Sequence, residues 1–359
     1  MNSLIKRMGS LFSYIPLPKS QQNVSNCRAE LNKFHKKPTG TCVNTNSVNV
    51  EYDLQIIVPA YNVEKYIEAC IESVLTQDTR YSYIVTVIND GSKDRTEEIL
   101  KKYQNYKSVE CVHQDNKGFS GARNSGLKTL KGKYITFLDS DDLLASDAIE
   151  KMLDIAYKTE ADIIQGGWHE FGDGHDERKI PGADGIIDDT SVYFSGYPWG
   201  KFFKYTVLEQ FQFPEGFWFE DTPISYILEA LPLKFATLNQ VIYEYRINPN
   251  GITQTAAFNK KSVDSYWITE QCLCDMPYFN VGYDQRAYDY FMNQVVVNYL
   301  RTRRMPRKIR EYIFILTSDC IEKYFGNRFS ASEKKYYKIE KSLKNKCYLK
   351  YEWQMLQFR

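Results

Sequence analysis

The sequence predicts an α/β protein, with a mostly parallel, doubly wound sheet followed by a mainly helical region. Three observations predict it. Apolar runs alternate with stretches of helical periodicity at a pitch of roughly 25–30 residues, the signature of βαβ units. The runs are continuously apolar, as strands covered on both faces are. Distinctive polar clusters follow four of the runs, and doubly wound sheets bind ligands beyond the carboxyl ends of their strands.

Residues 1–50 hold seven basic residues and one acidic residue and show no sustained periodicity. They read as a polar, poorly ordered leader. Leu54-Gln55-Ile56-Ile57-Val58, closed by Pro59, reads as the first strand. Val63, Ile67, Cys70, Ile71, Val74 and Leu75 recur at helical spacing. Ile84–Ile88 is a second strand, and Asn89-Asp90-Gly91-Ser92 is a turn. Thr96, Ile99, Leu100 and Tyr103 suggest a helix, and 109–112 a third strand. A helix opened by glycine is expected from Phe119 to Leu130, and a fourth strand over 134–138. Ile149, Met152, Leu153 and Ala156 mark another helix, and 162–164 a fifth strand. The α/β domain is expected over 51–258, and 259–359 reads as mainly helical and rich in aromatics.

Composition narrows the class. Hydrophobic residues make up 43% of the 359, ordinary for a globular chain. The eight cysteines form no CxxC pair and the four histidines are scattered. A zinc knuckle and a disulfide framework are therefore rejected, and a reducing compartment is expected. No apolar run reaches 18 residues, and the N-terminal apolar stretch is too short and broken for a signal peptide. The net charge of +1 hides an asymmetry: residues 301–359 hold sixteen basic and six acidic residues, so the two ends sum to +16 around an acidic body. This suggests a cytoplasmic protein with peripheral contact to the anionic inner face of the cell membrane.

Asp139-Ser140-Asp141-Asp142 ends the fourth strand. Three carboxylates in four residues are costly there unless a cation compensates. Mg²⁺ or Mn²⁺ takes one or two protein carboxylates and completes its shell with water and phosphates, so a diphosphate ligand is implied. Asp90 directly follows the second strand, where a carboxylate can accept the N–H of a base edge. Tyr61, in Pro59-Ala60-Tyr61-Asn62, could stack on a base. Lys117 and Arg123 bring positive charge to a helix start, where Gly118 and Gly121 permit close backbone approach. Glu220 and Asp221 lie within an apolar stretch, which can raise a carboxyl pKa towards that of a general base. Each cluster alone also fits a turn, a cap or a core corner; their placement at successive strand ends outweighs that.

Together the pieces resemble family 2 glycosyltransferases of the GT-A fold, inverting enzymes of the kind that build bacterial capsule, exopolysaccharide and glycoprotein glycans. The resemblance spans about Leu54 to Thr253 and rests, in order, on IIVPAYN (56–62), NDGSKDRT (89–96), NKGFSGARNSGL (116–127), DSDD (139–142), WGK (199–201) and FED (219–221). It implies that Pro59, Tyr61 and Asp90 hold a nucleotide base, usually uracil. Lys117 and Arg123 would lie near ribose or diphosphate, and Asp139 near ribose and metal with Ser140 beside it. Asp141 would ligate Mn²⁺ or Mg²⁺. Asp221 would be the general base, Glu220 would help position the acceptor, and Trp199 and Lys201 would line the sugar or acceptor side. Tyr245-Arg246 and Asn250-Gly251-Ile252-Thr253 resemble a downstream segment in which Ser is usual at position 251.

The implied reaction moves a hexosyl or N-acetylhexosaminyl group from a nucleotide-diphosphate donor, usually UDP-linked, to a hydroxyl of a glycan, lipid-linked or protein-linked acceptor, with inversion. No nucleic acid is expected as partner. Two alternatives are a sugar nucleotidyltransferase and a non-catalytic nucleotide-sugar-binding scaffold. The first lacks its Gly-rich basic loop, because Val58 leads straight into Pro59-Ala60-Tyr61. The second is disfavoured by intact Asp139, Asp141 and Asp221.

Overall fold

The computed structural model describes residues 23–172, 174–187, 194–248 and 259–358. Residues 1–22 of the expected leader and the Asn250–Thr253 segment lie outside them. The chain divides into two compact units, Thr39–Gly251 and a second formed by Met1–Pro38 with Ile252–Arg359.

For residues 23–50 the structure corrects the reading of a poorly ordered leader. Helix α1 (Val24–Phe34) is capped by Asn23, whose side chain accepts from the backbone of Ser25 and Asn26, and it buries Cys27 and Leu31 in the second unit. Two apolar anchors in eleven residues are too sparse to show as periodicity. Residues after 38 join the first unit. There the Asn46 amide donates to the carbonyls of Leu208 (2.7 Å) and Phe211 (2.8 Å).

Within Thr39–Gly251 the sheet begins with β1 (Ser47–Ala60), longer than its apolar core. Helix α2 (Ile67–Leu75) leads to β2 (Tyr83–Asn89), a short helix at Thr96–Leu100 to β3 (Val109–His113), and α3 (Gly118–Leu127) to β4 (Thr129–Phe137). After β5 (Leu143–Leu144) come α4 (Ala148–Thr159), β6 (Ile163–Gly172), β7 (His175–Lys179), β8 (Gly185–Ile187), β9 (Lys201–Lys204) and β10 (Phe235–Arg246). Among the described residues the order is β3-β2-β1-β4-β9-β6-β10-β5, with β7 beside β6 and β8 beside β10. The first four are parallel; β9 runs antiparallel between β4 and β6. The start of β9 therefore lies at the same edge as the ends of β1, β2 and β4, and Trp199 bridges to Phe137 there.

Helix α3 stops at Leu127, three residues before the expected Leu130. Gln55, fully buried inside the apolar run of β1, explains the early stop. Its amide donates to the Gly126 and Thr129 carbonyls (3.3 Å each), and its oxygen accepts from the Lys131 backbone (2.9 Å). One side chain thus satisfies backbone groups at the helix end and commits the next residues to β4. Gly126 lets the helix lie against β1, since a Cβ there would stand 2.5 Å from a methyl of Ile57.

In the second unit α5 (Asp264–Asp275), α6 (Gln285–Thr302), α7 (Arg307–Cys320), α8 (Tyr337–Lys344) and α9 (Tyr348–Gln357) join α1, as the mainly helical reading expects. Among the described residues, no helix is long and apolar enough to cross a membrane.

Candidate active site

The site edge is built from the loops that follow β1, β2, β3 and β4. The NDGSKDRT residues pin the loop after β1. Ser92 Oγ accepts from the Asn62 backbone (3.1 Å), Thr96 Oγ1 from that of Val63 (2.9 Å) and Asp94 Oδ2 from that of Glu64 (3.0 Å). Asn62 returns the contact by accepting from the Lys93 backbone at 2.7 Å. Asn62 itself takes a left-handed backbone, φ +53°, which asparagine tolerates better than most residues. Beyond it Tyr61 stands 48% exposed at the lip. Asp90 is buried, and its Oδ1 accepts from Gln114 Nε2 (2.7 Å) and the Lys117 backbone (2.8 Å). Gln114 is in turn held by Ser125 Oγ at 2.5 Å. Pro59 is the penultimate residue of β1, paired with Ile88 of β2, and the Lys117 side chain is exposed.

The acidic cluster divides its work by burial. Asp139 is partly exposed, and its Oδ1 accepts from Arg123 Nη2 at 2.7 Å. Ser140 is buried behind it. Asp141 accepts from Asn248 Nδ2 at 3.3 Å, while its carbonyl takes Arg246 Nε at 2.7 Å. Burial and then the charge of Asp139 push the Asp141 carboxyl up from its ordinary value. Asp142, to which the sequence assigns no role, is almost fully buried and faces the other way. It accepts from Tyr243 Oη and from the Arg246 backbone, both at 2.7 Å, and so ties the end of β4 to the end of β10. Its signal in the sequence was only its company in the DSDD run.

Arg123 lies inside the site wall. Its guanidinium is buried, with Nη1 on Glu220 and Nη2 on Asp139, and it rests 5.5 Å from the Phe213 ring. Among the described residues its Nε finds no partner. The neighbouring Asn124 exchanges two 2.8 Å hydrogen bonds with the Phe213 backbone. Helix α3 thus grips both ends of the 213–220 segment. That segment turns at Phe219, φ +63°, and delivers Glu220 and Asp221 to the edge. Burial pushes Glu220 up to about 7, with the Arg123 charge opposing and the Asp221 charge adding. Asp221 is half-buried immediately before the short helix Thr222–Tyr226.

Trp199 sits in an aromatic stack, 4.6 Å from Tyr197 and Tyr243 and 5.2 Å from Tyr245, with the Trp168 edge at 5.6 Å. Lys201 points inward. Its Nζ donates to Ser195 Oγ and the Tyr197 carbonyl, both at 2.9 Å, so it shapes the segment leading into Trp199. Burial lowers its pKa to about 7 against the charges of Glu229 and Asp221. Asn124, Asp142 and Tyr243 are the structural partners that sequence reasoning missed, because each acts through a residue remote in the chain.

Among the described residues no group of three or more His, Cys, Asp or Glu side chains is arranged to hold a metal by itself. The donor set that exists, Asp139 and Asp141 in one turn at the site edge, fits the kind of Mg²⁺ or Mn²⁺ site completed by a substrate's phosphates.

A GT-A α/β fold is the class this architecture defines: a mixed sheet with a buried carboxylate, an acidic turn and an acid pair at the ends of its parallel strands. Residues 55–216 match the family model for glycosyl transferase family 2, so the chain carries a family 2 glycosyltransferase domain. GlyA of Streptococcus pneumoniae is 31% identical over 230 residues, covering 57% of this chain and 32% of GlyA. The uncharacterized glycosyltransferase EpsJ of Bacillus subtilis is 32% identical over 219 residues, covering 56% of this chain and 63% of EpsJ. The matched region thus spans less than two thirds of either relative. The structure of S. aureus TarS 1-349 in complex with UDP-GlcNAc shares the fold, with a TM-score of 0.68 at 19% identity over 86% of this chain and 91% of that one.

Proposed function

We propose that this protein transfers a sugar, with inversion, from a UDP-sugar to a hydroxyl of a glycan, lipid-linked or protein-linked acceptor in polysaccharide or cell-wall glycan synthesis. The observation that carries the reading is the Arg123 bridge, which brings the acidic turn and the Glu220–Asp221 pair within one guanidinium of each other. Nucleotide and acceptor chemistry then share one site. The TarS complex with UDP-GlcNAc and the likeness to the minor teichoic acid biosynthesis protein GgaB of B. subtilis (30% identical over 241 residues) support the donor and pathway class.

In this reading Asp90 accepts from the base edge and Tyr61 covers the base. Asp139 and Asp141 would hold Mg²⁺ or Mn²⁺, which supplies charge neutralisation for the leaving diphosphate. Asp221 takes the proton of the acceptor hydroxyl as its oxygen attacks the anomeric carbon and the bond to diphosphate breaks. Glu220, fixed by Arg123, positions the acceptor. The Trp199 stack walls the sugar side, and Lys201 holds that wall from behind. The cytoplasm, where nucleotide-sugars are made, is the proposed location. UDP release across a panel of UDP-sugars, with and without Mn²⁺, tests the reading. Acceptor-dependent release is expected; full activity in EDTA would remove the metal, and an α-linked product from an α-linked donor would remove inversion.

A further inference from the structure

The turn between α6 and α7 is strongly basic. Residues 301–310 hold six Lys or Arg and no Asp or Glu, and Arg303, Arg304, Arg307 and Lys308 are exposed. Arg310 fastens this turn to α9. Its Nη1 donates to the carbonyls of Arg303 (3.2 Å) and Met305 (2.7 Å), and its Nε donates to Glu352 at 3.0 Å. The Arg307 guanidinium lies 5.9 Å from the Tyr348 ring, at the start of the same helix. Helix α9 buries Tyr348, Tyr351 and Met355. On another side, at positions i, i+4 and i+7, it carries Leu349 (38% exposed), Trp353 and Leu356 (70% exposed). Leu300, 43% exposed, precedes the basic turn.

We propose that this face of the helical unit docks on an anionic lipid surface. Cations flanking exposed leucines on an amphipathic helix are the composition that binds at a headgroup boundary. The charge selects anionic lipid over neutral lipid. The leucines favour a bilayer over a soluble polyanion, which offers them nothing to bury against. A second copy of this chain is disfavoured, because a two-fold contact would set like charges opposite each other. The proposal does not rest on the transferase reading, since lipid binding is read without any sugar donor.

Co-flotation of the full chain with phosphatidylcholine vesicles, with and without phosphatidylglycerol, tests it. Binding is expected only with phosphatidylglycerol and should weaken with salt. Replacing Arg303, Arg304, Arg307 and Lys308 with Gln should lower it by on the order of tenfold or more. Leu349→Ser with Leu356→Ser should lower it several-fold while thermal unfolding stays unchanged; if the glutamine variant unfolds, this pair decides alone. Failure to float with phosphatidylglycerol, equal flotation without it, or wild-type flotation of the leucine variant would overturn the proposal. So would a dimer that the leucine variant dissolves in a chain that does not float.

Discussion

The helical unit buries Glu270 and the sheet unit buries Glu220, and the two carboxyls respond in opposite directions. Glu270 accepts from Arg28 (2.5 and 2.8 Å) and Lys37 (3.1 Å). Burial would raise it, but the hydrogen bonds and charges of Arg28 and Lys37 outweigh burial and hold it down at about 2. Among the described residues Glu220 has one ion-pair partner, Arg123, which it shares with Asp139, and Asp221 stands next to it. Burial wins there, and the value rises to about 7. Two cations on one acid stabilise a fold. One cation among several acids leaves a surplus of negative charge, the kind of imbalance that makes the strand ends the candidate site.

The largest expected effect breaks the site and leaves the fold. Asp221→Asn should lower the transfer rate by about 10²–10⁴-fold, the usual worth of a general base, with the melting temperature unchanged. Asp141→Ala should abolish transfer while the protein stays folded; retention of wild-type rates by either variant would remove the assigned role.

Next comes acid stability in the helical unit. The folded value of Glu270 lies below its ordinary 4.5, so its contribution is complete above that pH and disappears as pH falls towards 2. The loss should be on the order of 3 kcal/mol, read by urea unfolding across that window. In Glu270→Gln the window should flatten. Glu220 should act in the opposite sense: its raised folded value makes stability fall as pH rises from its ordinary 4.5 towards 7, and Glu220→Gln should remove that fall.

Arg28→Met should destabilise the helical unit by about 2 kcal/mol. A hydrogen bond to a charged group is worth about that much, discounted here because the Arg28 side chain is 40% exposed and Lys37 remains. Denaturant midpoints at neutral pH would measure it. The smallest effect is expected at the lip. Tyr61→Ala should weaken UDP binding several-fold, since a stacking contact is worth about 1 kcal/mol. It should leave stability within about 0.5 kcal/mol, and calorimetry with UDP would show whether the exposed ring meets the base.

Much of the sheet unit was legible because its information is local. Ile56-Ile57-Val58 and Val85-Thr86-Val87 announce buried strands by composition, and the polar residues that follow them announce an edge. The insertion of antiparallel β9 between β4 and β6 was not legible, since four residues carry no directional signal. The helix at Val24–Phe34 was hidden for a similar reason: Cys27 and Leu31 acquire meaning only against the helices that cover them.

The sequence by itself determined the strand–helix alternation, the candidate residues Asp90, Asp139, Asp141, Glu220 and Asp221, and the charge asymmetry of the ends. Apolar runs and carboxylate clusters are properties of neighbouring residues. Tertiary structure alone decided that Arg123 is a buried bridge, that Asp142 ties β4 to β10 through Tyr243, and that Lys201 turns inward. It also decided that Glu220 and Glu270 shift in opposite directions. A carboxylate's behaviour depends on burial and on which cations face it, and those cations come from 97 residues away for Glu220 and 242 for Glu270.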